Sequence, residues 1–427
     1  MLSRRDSLTA VGLVLGVAVL AAWVGYLTLE HRRLAVLATV AVLLLGVTAR
    51  NAAVLAIVAV AGVWVVLRAP GLDVSFTDLL VASAGALALA AGVGRVLHPA
   101  ARIVLGSFAF FLGTLTITLA YNHNLRSDFD WFHRIALVAG AVFVGGWLVR
   151  ARLHHTALRA LLAVTVLMSL VAAADTVASG FAPAYPFGYQ KNFVGSITAT
   201  VLLVLLAAPG EFRLPARWLQ VAAASTAAGL LASQSRGAMI GFAAGVLIWS
   251  FRRPVQPSRV YRRRAILLLF AVALAFVAAL SARDQLQVQG AAINSVTQRV
   301  RIARTTRQLW TEHPYTGVGL RYFKTPRYAG YPEPNDVVNE ALAEAGVLGL
   351  LGFVVFVIGS LVGLSRLQGD LATAALCVVA ARFVHGLLDI YWTGGTTSLP
   401  WIVAGMALAS SALPPSSSAR SRGRVAD

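Results

Sequence analysis

Cysteine, lysine and carboxylates are all scarce in this chain, and each shortage closes off a class of function. The single cysteine, Cys377, lies inside an apolar run, so no intrachain disulfide and no thiolate metal cluster can form. Only 12% of the residues are charged, whereas 58% are hydrophobic and the mean hydropathy is +0.75. A soluble domain carries about 25% charged residues, so a water-soluble globular fold is excluded. Lys191 and Lys324 are the only lysines among 36 basic residues, so the net charge of +19 is an arginine charge.

In place of polar residues the chain has long uncharged runs, such as Leu34 to Thr48 and Ala265 to Leu280. These do not alternate apolar with polar, which excludes a transmembrane barrel. At about 20 apolar residues per crossing, the runs predict crossings at 8–29, 34–49, 52–67, 77–97, 100–120, 133–149 and 157–178 in the first half. The second half adds 193–208, 217–234, 238–251, 265–281, 338–363, 371–390 and 397–412. The expected fold class is all-α, a polytopic transmembrane helical bundle of about 12–14 crossings with one large external, partly helical loop. By domain, residues 1–281 are transmembrane helices, 282–337 the loop, 338–412 further transmembrane helices, and 413–427 a Ser-, Pro- and Arg-rich disordered cytoplasmic tail. The N-terminus reads as a signal anchor, since no small-residue cleavage site follows it. Ser233, Ser235 and Arg236 interrupt the apolar pattern around Gln234–Gly237 and predict a broken helix there.

Arginine position then assigns the sides. Arg252, Arg253, Arg259, Arg262, Arg263 and Arg264 form the densest short basic loop, which the positive-inside rule places in the cytoplasm. Counting crossings from there puts both termini inside, with twenty basic residues in the inner loops and seven, including Arg134, in the short outer ones. Membrane topology thus accounts for the charge, and nucleic acid is not an expected partner. The external loop 282–337 nevertheless carries Arg283, Arg299, Arg301, Arg304, Arg307, Arg321, Lys324 and Arg327. Guanidinium forks match phosphate oxygens, so this loop suits either a phosphate-bearing lipid substrate or anionic headgroups.

Within it, Ile293 to Thr311 reads as a surface helix with Val296, Val300, Ala303 and Trp310 on its apolar face. His313-Pro314-Tyr315-Thr316-Gly317-Val318-Gly319 is a turn, and Asn335 or Asp336 suits the N-cap of the next helix. Earlier, Tyr121 to Asn124 with Asp128 and Asp130 reads as an external polar loop. A metal site from His123 and these carboxylates fits no trusted ligand spacing, so no metal and no cofactor are expected. Glu340 and Glu344 share one helical face, as do His385 and Asp389 in a crossing that includes Arg382.

One succession of residues carries a resemblance. Ser235-Arg236-Gly237-Ala238, then Arg299, Pro314, Gly317-Val318-Gly319, Pro334-Asn335, Glu344-Ala345-Gly346 and Leu348-Gly349 follow in order across residues 180 to 360. Lys191-Asn192 before an apolar helix and His385-Gly386-Leu387-Leu388-Asp389 extend the pattern. The chain resembles the bacterial O-antigen ligase family, which also takes in polymerases of lipid-linked repeat units.

The resemblance implies a multi-pass glycosyltransferase of the bacterial inner (plasma) membrane, active at the external face. Such enzymes take a glycan from a polyprenyl diphosphate and place it on a hydroxyl of a glycan or lipid acceptor, without nucleotide sugar or metal. Arg236 and Arg299 match the family's diphosphate clamp, with Lys191 and Asn192 beside them. Each arginine also reads more plainly, Arg236 as a snorkelling residue and Arg299 as a solvated loop charge. Asn335, Glu344, Gly317, Gly319 and Asp389 take supporting places, with Glu344 in a structural or arginine-orienting role. Family ligases carry a histidine before the asparagine of this helix, whereas Pro332 and Pro334 occupy that region here. Glu333, His385 and Asp336 are the remaining candidate bases for the acceptor hydroxyl. The alternatives are a repeat-unit polymerase within the same chemistry and, from a different class, a flippase or transporter of lipid-linked glycans.

Overall fold

The structure is a computed structural model and describes residues 52–65, 75–252, 295–328 and 330–413. The expected crossings 8–29, 34–49 and 265–281, the arginine-rich stretch 253–264 and the tail from 414 lie outside the described residues. The chain divides into two compact units, residues 1–55 and 56–427.

The second unit contains α1 (Val54–Ala61, begun in the first unit), α2 (Phe76–Ala90), α3 (Ala100–Tyr121), α4 (Leu125–Ile135), α5 (Ala141–Arg150), α6 (His154–Ala178) and α7 (Lys191–Ala207). Then come α8 (Ala216–Ser233), α9 (Arg236–Arg252), α10 (Ser295–Glu312), α11 (Val337–Ser365), α12 (Asp370–Gly386) and α13 (Ser398–Ser410). No strand occurs among the described residues, and the fold is an all-α bundle. Four helical stretches, Ala100–Tyr121, Leu125–Arg150, His154–Ala178 and Val337–Ser365, are long and apolar enough to cross a bilayer. The shortest of them has 22 residues, which at 1.5 Å per residue covers the roughly 30 Å hydrocarbon core.

Local chemistry sets the helix starts. Ser75 and Asp78 form a reciprocal capping box on α2, Asn124 caps α4 through the Ser127 amide at 2.9 Å, and Asp336 caps α11 through the Asn339 amide at 2.9 Å. The Gln234–Ser235 break is present: α8 ends with Gln234 at φ 48° and α9 begins at Arg236. One expectation fails here. The stretch 121–130 is not all loop, because Asn124 starts a helix that continues through a π turn at Ala136–Gly140 to Arg150, so Asp128 and Asp130 are helical.

Small residues bring the helices together, as they must where lipid supplies no hydrophobic drive between them. α9 packs on α12 through Gly237, Gly241 and Gly245, spaced four apart, and a Cβ on Gly241 would lie 2.6 Å from the Ala381 carbonyl. α11 packs on α3, where Gly352 and Gly359 face Thr114 and Ser107, and α5 packs on α13 through Gly145 and Gly405.

α11 is itself broken at Gly346, which has φ 64° and ψ −158°. A break inside an apolar helix frees carbonyls and amides that lipid cannot satisfy. The 314–319 turn satisfies them: the Val318 and Gly319 amides donate to the Ala343 and Glu344 carbonyls at 2.9 and 3.0 Å. In return the Val347 and Leu348 amides donate to the Pro314 and Tyr315 carbonyls at 2.9 and 3.3 Å. Gly317, at φ 63°, and Gly346 make this approach possible, since a Cβ on Gly346 would lie 2.7 Å from the Pro314 oxygen. We expect Gly346→Ala to cost about 1–3 kcal/mol from backbone strain alone, read as a lower melting temperature in detergent. Gly113→Ala, where an added Cβ meets nothing within 4 Å, should be neutral or stabilising. Equal melting of both variants would contradict the role given to this break.

Candidate active site

Two groups of polar side chains lie at the helix ends around the 387–397 segment. The first centres on Arg134 of α4, which is 2% exposed. Its Nε donates to Asp130 at 2.8 Å and its Nη2 to Glu344 at 2.5 Å, with Glu340 at 3.5 Å. Arg321, in the turn after α10, donates from Nε to the other Asp130 oxygen at 2.9 Å and from its amide to Glu344 at 2.8 Å. His133 stands 3.3 Å from Asp78 and 3.9 Å from Asp130. Burial opposes the charge on Arg321, yet Asp130 first, then Glu340, Glu344 and Glu333, hold it above the ordinary arginine range. Burial, helped by Glu344, Glu340 and Glu333, pushes the Tyr322 hydroxyl up. These pairs fasten the loop that follows α10 to α4 and α11.

The second group lies where α7, α9 and α12 meet. Ser235 donates to the Asn192 side-chain oxygen at 2.9 Å, and the Asn192 amide donates to Asp389 at 3.0 Å. Asp389 faces His385 Nε2 at 3.5 Å, and His385 Nδ1 lies 3.1 Å from Arg382 Nη1. A guanidinium only donates, so His385 Nδ1 accepts and its proton sits on Nε2, facing Asp389. His385 therefore has no free lone pair in this arrangement. Gly237 lies directly on its ring, where a Cβ would be 2.7 Å from Cδ2. Lys191 and Arg236 open α7 and α9 and are half-buried at the rim. Beneath it is a cavity of about 10 Å³, lined by Ser196, Thr200, Phe242, Arg382 and His385, which is water-sized.

The 387–397 segment joins the groups. Tyr391 takes the Arg382 guanidinium over its ring at 4.8 Å, and Trp392 takes that of Arg134 at 4.6 Å while stacking on Phe111. Backbone carbonyls repeat the pattern: Arg382 donates to Ile390 at 2.9 Å and to Tyr391, and Arg321 donates to Trp392 at 3.4 Å. Gly394 lies against Asp78, leaving no room for a side chain.

This geometry sits in and around a stretch with known relatives. Residues 221–357, from α8 to the middle of α11, match the family model described as O-antigen ligase. Over this segment the chain is similar to the O-antigen ligase family. A search of curated proteins finds no match. The ligase segment contains Ser235, Arg236, α10, the 314–319 turn, Glu340 and Glu344, whereas Lys191, Asn192, His385 and Asp389 lie on either side of it.

Eight of the residues singled out by sequence fall in the two groups, and Asp336, Asn335, Glu333 and Arg299 lie outside them. Lys191, Asn192, Arg236, His385 and Asp389 gather in the second. Glu344, Gly317 and Gly319 belong to the first, where Glu344 binds Arg134 and the Arg321 amide. Asp336 uses both oxygens at the start of α11, accepting from the Asn339 amide and, at 2.6 Å, from its side chain. Asn335 is half-buried beside it, and Glu333 is exposed. Arg299 falls on α10, but its side chain lies outside the described residues.

Two sequence expectations are corrected. The buried face of α10 is Ile302, Thr306 and Leu309, not the face of Val300 and Ala303, which are exposed. The reason is that α10 packs on α11 and on Val318 and Tyr322, so a neighbour selects the stripe. Arg134, counted among outer-loop charges, is buried on a helix. Sequence reasoning marks Glu344 for an arginine-orienting role but misses the cluster that Asp130, Arg134 and Arg321 form around it. The sequence signal of that cluster was the i, i+4 pairing of Asp130 with Arg134, opposite that of Glu340 with Glu344.

Proposed function

We propose that this protein is a membrane glycosyltransferase that moves a glycan from a polyprenyl-diphosphate donor to an acceptor hydroxyl at the external face. The observation that carries the proposal is the meeting of two helix starts, α7 with Lys191 and α9 with Arg236, locked by the 2.9 Å bond from Ser235 to Asn192. Helix N-termini and first-turn cations both favour an anion, and the α9 half lies in the ligase segment. As the bond from the sugar C1 to the phosphate oxygen breaks, charge grows on the diphosphate. Cations fixed beforehand stabilise that charge most in the transition state. The acceptor oxygen then bonds to C1 and its proton passes to a carboxylate.

Contacts between loops support the sidedness. Ends assigned outward by the arginine count bind one another: Asn122 to the Gly317 carbonyl, Ser127 to that of Leu320, and Asn192 to Asp389. Ends assigned inward do the same: Arg252 binds the Ser365 carbonyl, Arg150 that of Ala91, and His155 that of Glu211.

Among the candidate bases, Asp336 is engaged as a cap, and His385 accepts from Arg382 at Nδ1 and carries its proton on Nε2, which leaves the exposed Glu333 as the proposed proton acceptor. His385 then acts as a positioning residue that relays Arg382 to Asp389 and Asn192. In detergent, with a defined polyprenyl-diphosphate glycan and acceptor, Glu333→Gln should slow transfer by about 10²-fold or more. His385→Gln should change affinity for the donor more than the pH profile. No release of polyprenyl diphosphate by the unaltered protein would refute the proposed reaction. An active Glu333→Gln beside an inactive His385→Gln would reassign the base.

A further inference from the structure

At the opposite end of the bundle from Asn192 and Asp389, α6 begins with two histidines. His154 Nε2 lies 3.5 Å and His155 Nδ1 3.4 Å from the same oxygen of Glu211, in the turn Pro209–Phe212 that joins α7 to α8. The three side chains are each a quarter exposed or less. Nδ1 of His154 is buried, which turns Nε2 toward Glu211. The two imidazole rings lie 3.9 Å apart, centroid to centroid. His155 Nδ1 also lies 2.7 Å from the Glu211 backbone carbonyl, which only accepts, so in the unloaded chain this nitrogen carries its proton, and an ion would take that proton's place as it moves to Nε2.

The geometry points to a divalent transition-metal site, of the kind zinc occupies, formed by His154, His155 and Glu211. Ligands about 2.0–2.1 Å from a tetrahedral zinc stand roughly 3.3–3.4 Å from one another, and the Glu211 oxygen already holds that spacing to both nitrogens. Two nitrogens and one oxygen suit zinc or a neighbouring first-row metal, whereas calcium and magnesium require oxygen ligands. Arg213 is close enough to act on His154 electrostatically. It disfavours an ion held by charge alone, which again selects coordination by imidazole. Water would complete the fourth position. The ion would clip the start of α6 to the turn before α8, two helices that pack side by side. It stands apart from the transfer chemistry proposed above.

The test is zinc binding by the full chain, purified without a polyhistidine tag, stripped with a chelator and titrated against a chromophoric zinc indicator. One zinc per chain is expected, with affinity about tenfold or more weaker in Glu211→Gln and in His154→Ala. Cobalt in the same place should show the visible absorption of a tetrahedral centre. In the unaltered chain, zinc should also shield His154 and His155 from diethyl pyrocarbonate while His123, 78% exposed, stays reactive. That measurement holds even if a variant fails to fold. Binding that does not saturate, an octahedral cobalt spectrum, or histidines left unshielded would overturn the site.

Discussion

Arg236→Ala, at unchanged protein level in the membrane, should reduce glycan transfer by about 10²-fold or more, because a donor aimed at developing charge is worth about 2.7–4 kcal/mol in the transition state. The residue opens α9 directly after Ser235, whose hydroxyl is tied to Asn192 at 2.9 Å. Its backbone is therefore held by the same bond that joins the two helix starts. Arg236→Lys should recover little, since an ammonium places one point charge where a guanidinium presents a fork. Arg299→Ala should lose a comparable factor if both arginines grip one diphosphate. The measurement is steady-state release of polyprenyl diphosphate by purified variants, with accumulation of lipid-linked glycan in cells as its counterpart. Turnover at the unaltered rate in Arg236→Ala and Arg299→Ala would remove the clamp from the mechanism.

The largest effect on stability is expected at Arg134. Arg134→Met keeps the length of the side chain but leaves Asp130, Glu340 and Glu344 facing one another with only Arg321 and His133 to balance them. Stripping one partner from a buried ion pair costs about 3–5 kcal/mol, mostly as the penalty of the charge left behind. The variant should melt well below the parent in detergent and reach the membrane in reduced amount. Adding Glu344→Gln to Arg134→Met should recover part of the loss, because the stranded carboxylate is then gone. The same loss in the double variant would mean that Arg134 contributes through packing on Trp392, 4.6 Å away, and not through charge. Since Asp130 and Glu344 also hold Arg321, Arg134→Met should loosen the loop after α10 too, visible as faster proteolysis there.

Much of the architecture was legible in the residues themselves, because its causes are local. An uncharged run of adequate length becomes a helix in lipid wherever it falls, so α3, α6 and α11 lie close to the expected 100–120, 157–178 and 338–363. The cap at Asp336, the helix over 295–312 and the interruption at Gln234 follow from side chains within a few positions of the event. The ligase segment was likewise marked by motifs in order. Tertiary structure decided the rest. Arg134 and Glu344 are 210 positions apart, so nothing near either residue shows that a buried pair at 2.5 Å will form. The stripe that α10 buries depends on α11, not on its own apolar positions. Gly317 and Gly346 each read as a turn or hinge, but only the fold shows them side by side, one segment satisfying the hydrogen bonds that the other has broken. His385 is the sharpest case. Its spacing from Asp389 suggests a base, and only the approach of Arg382, fixed by carbonyls of the 387–397 segment, directs its proton to Nε2. Sequence determines which groups a helix carries, whereas their protonation and pairing depend on the neighbour that reaches them, and that neighbour is chosen by packing.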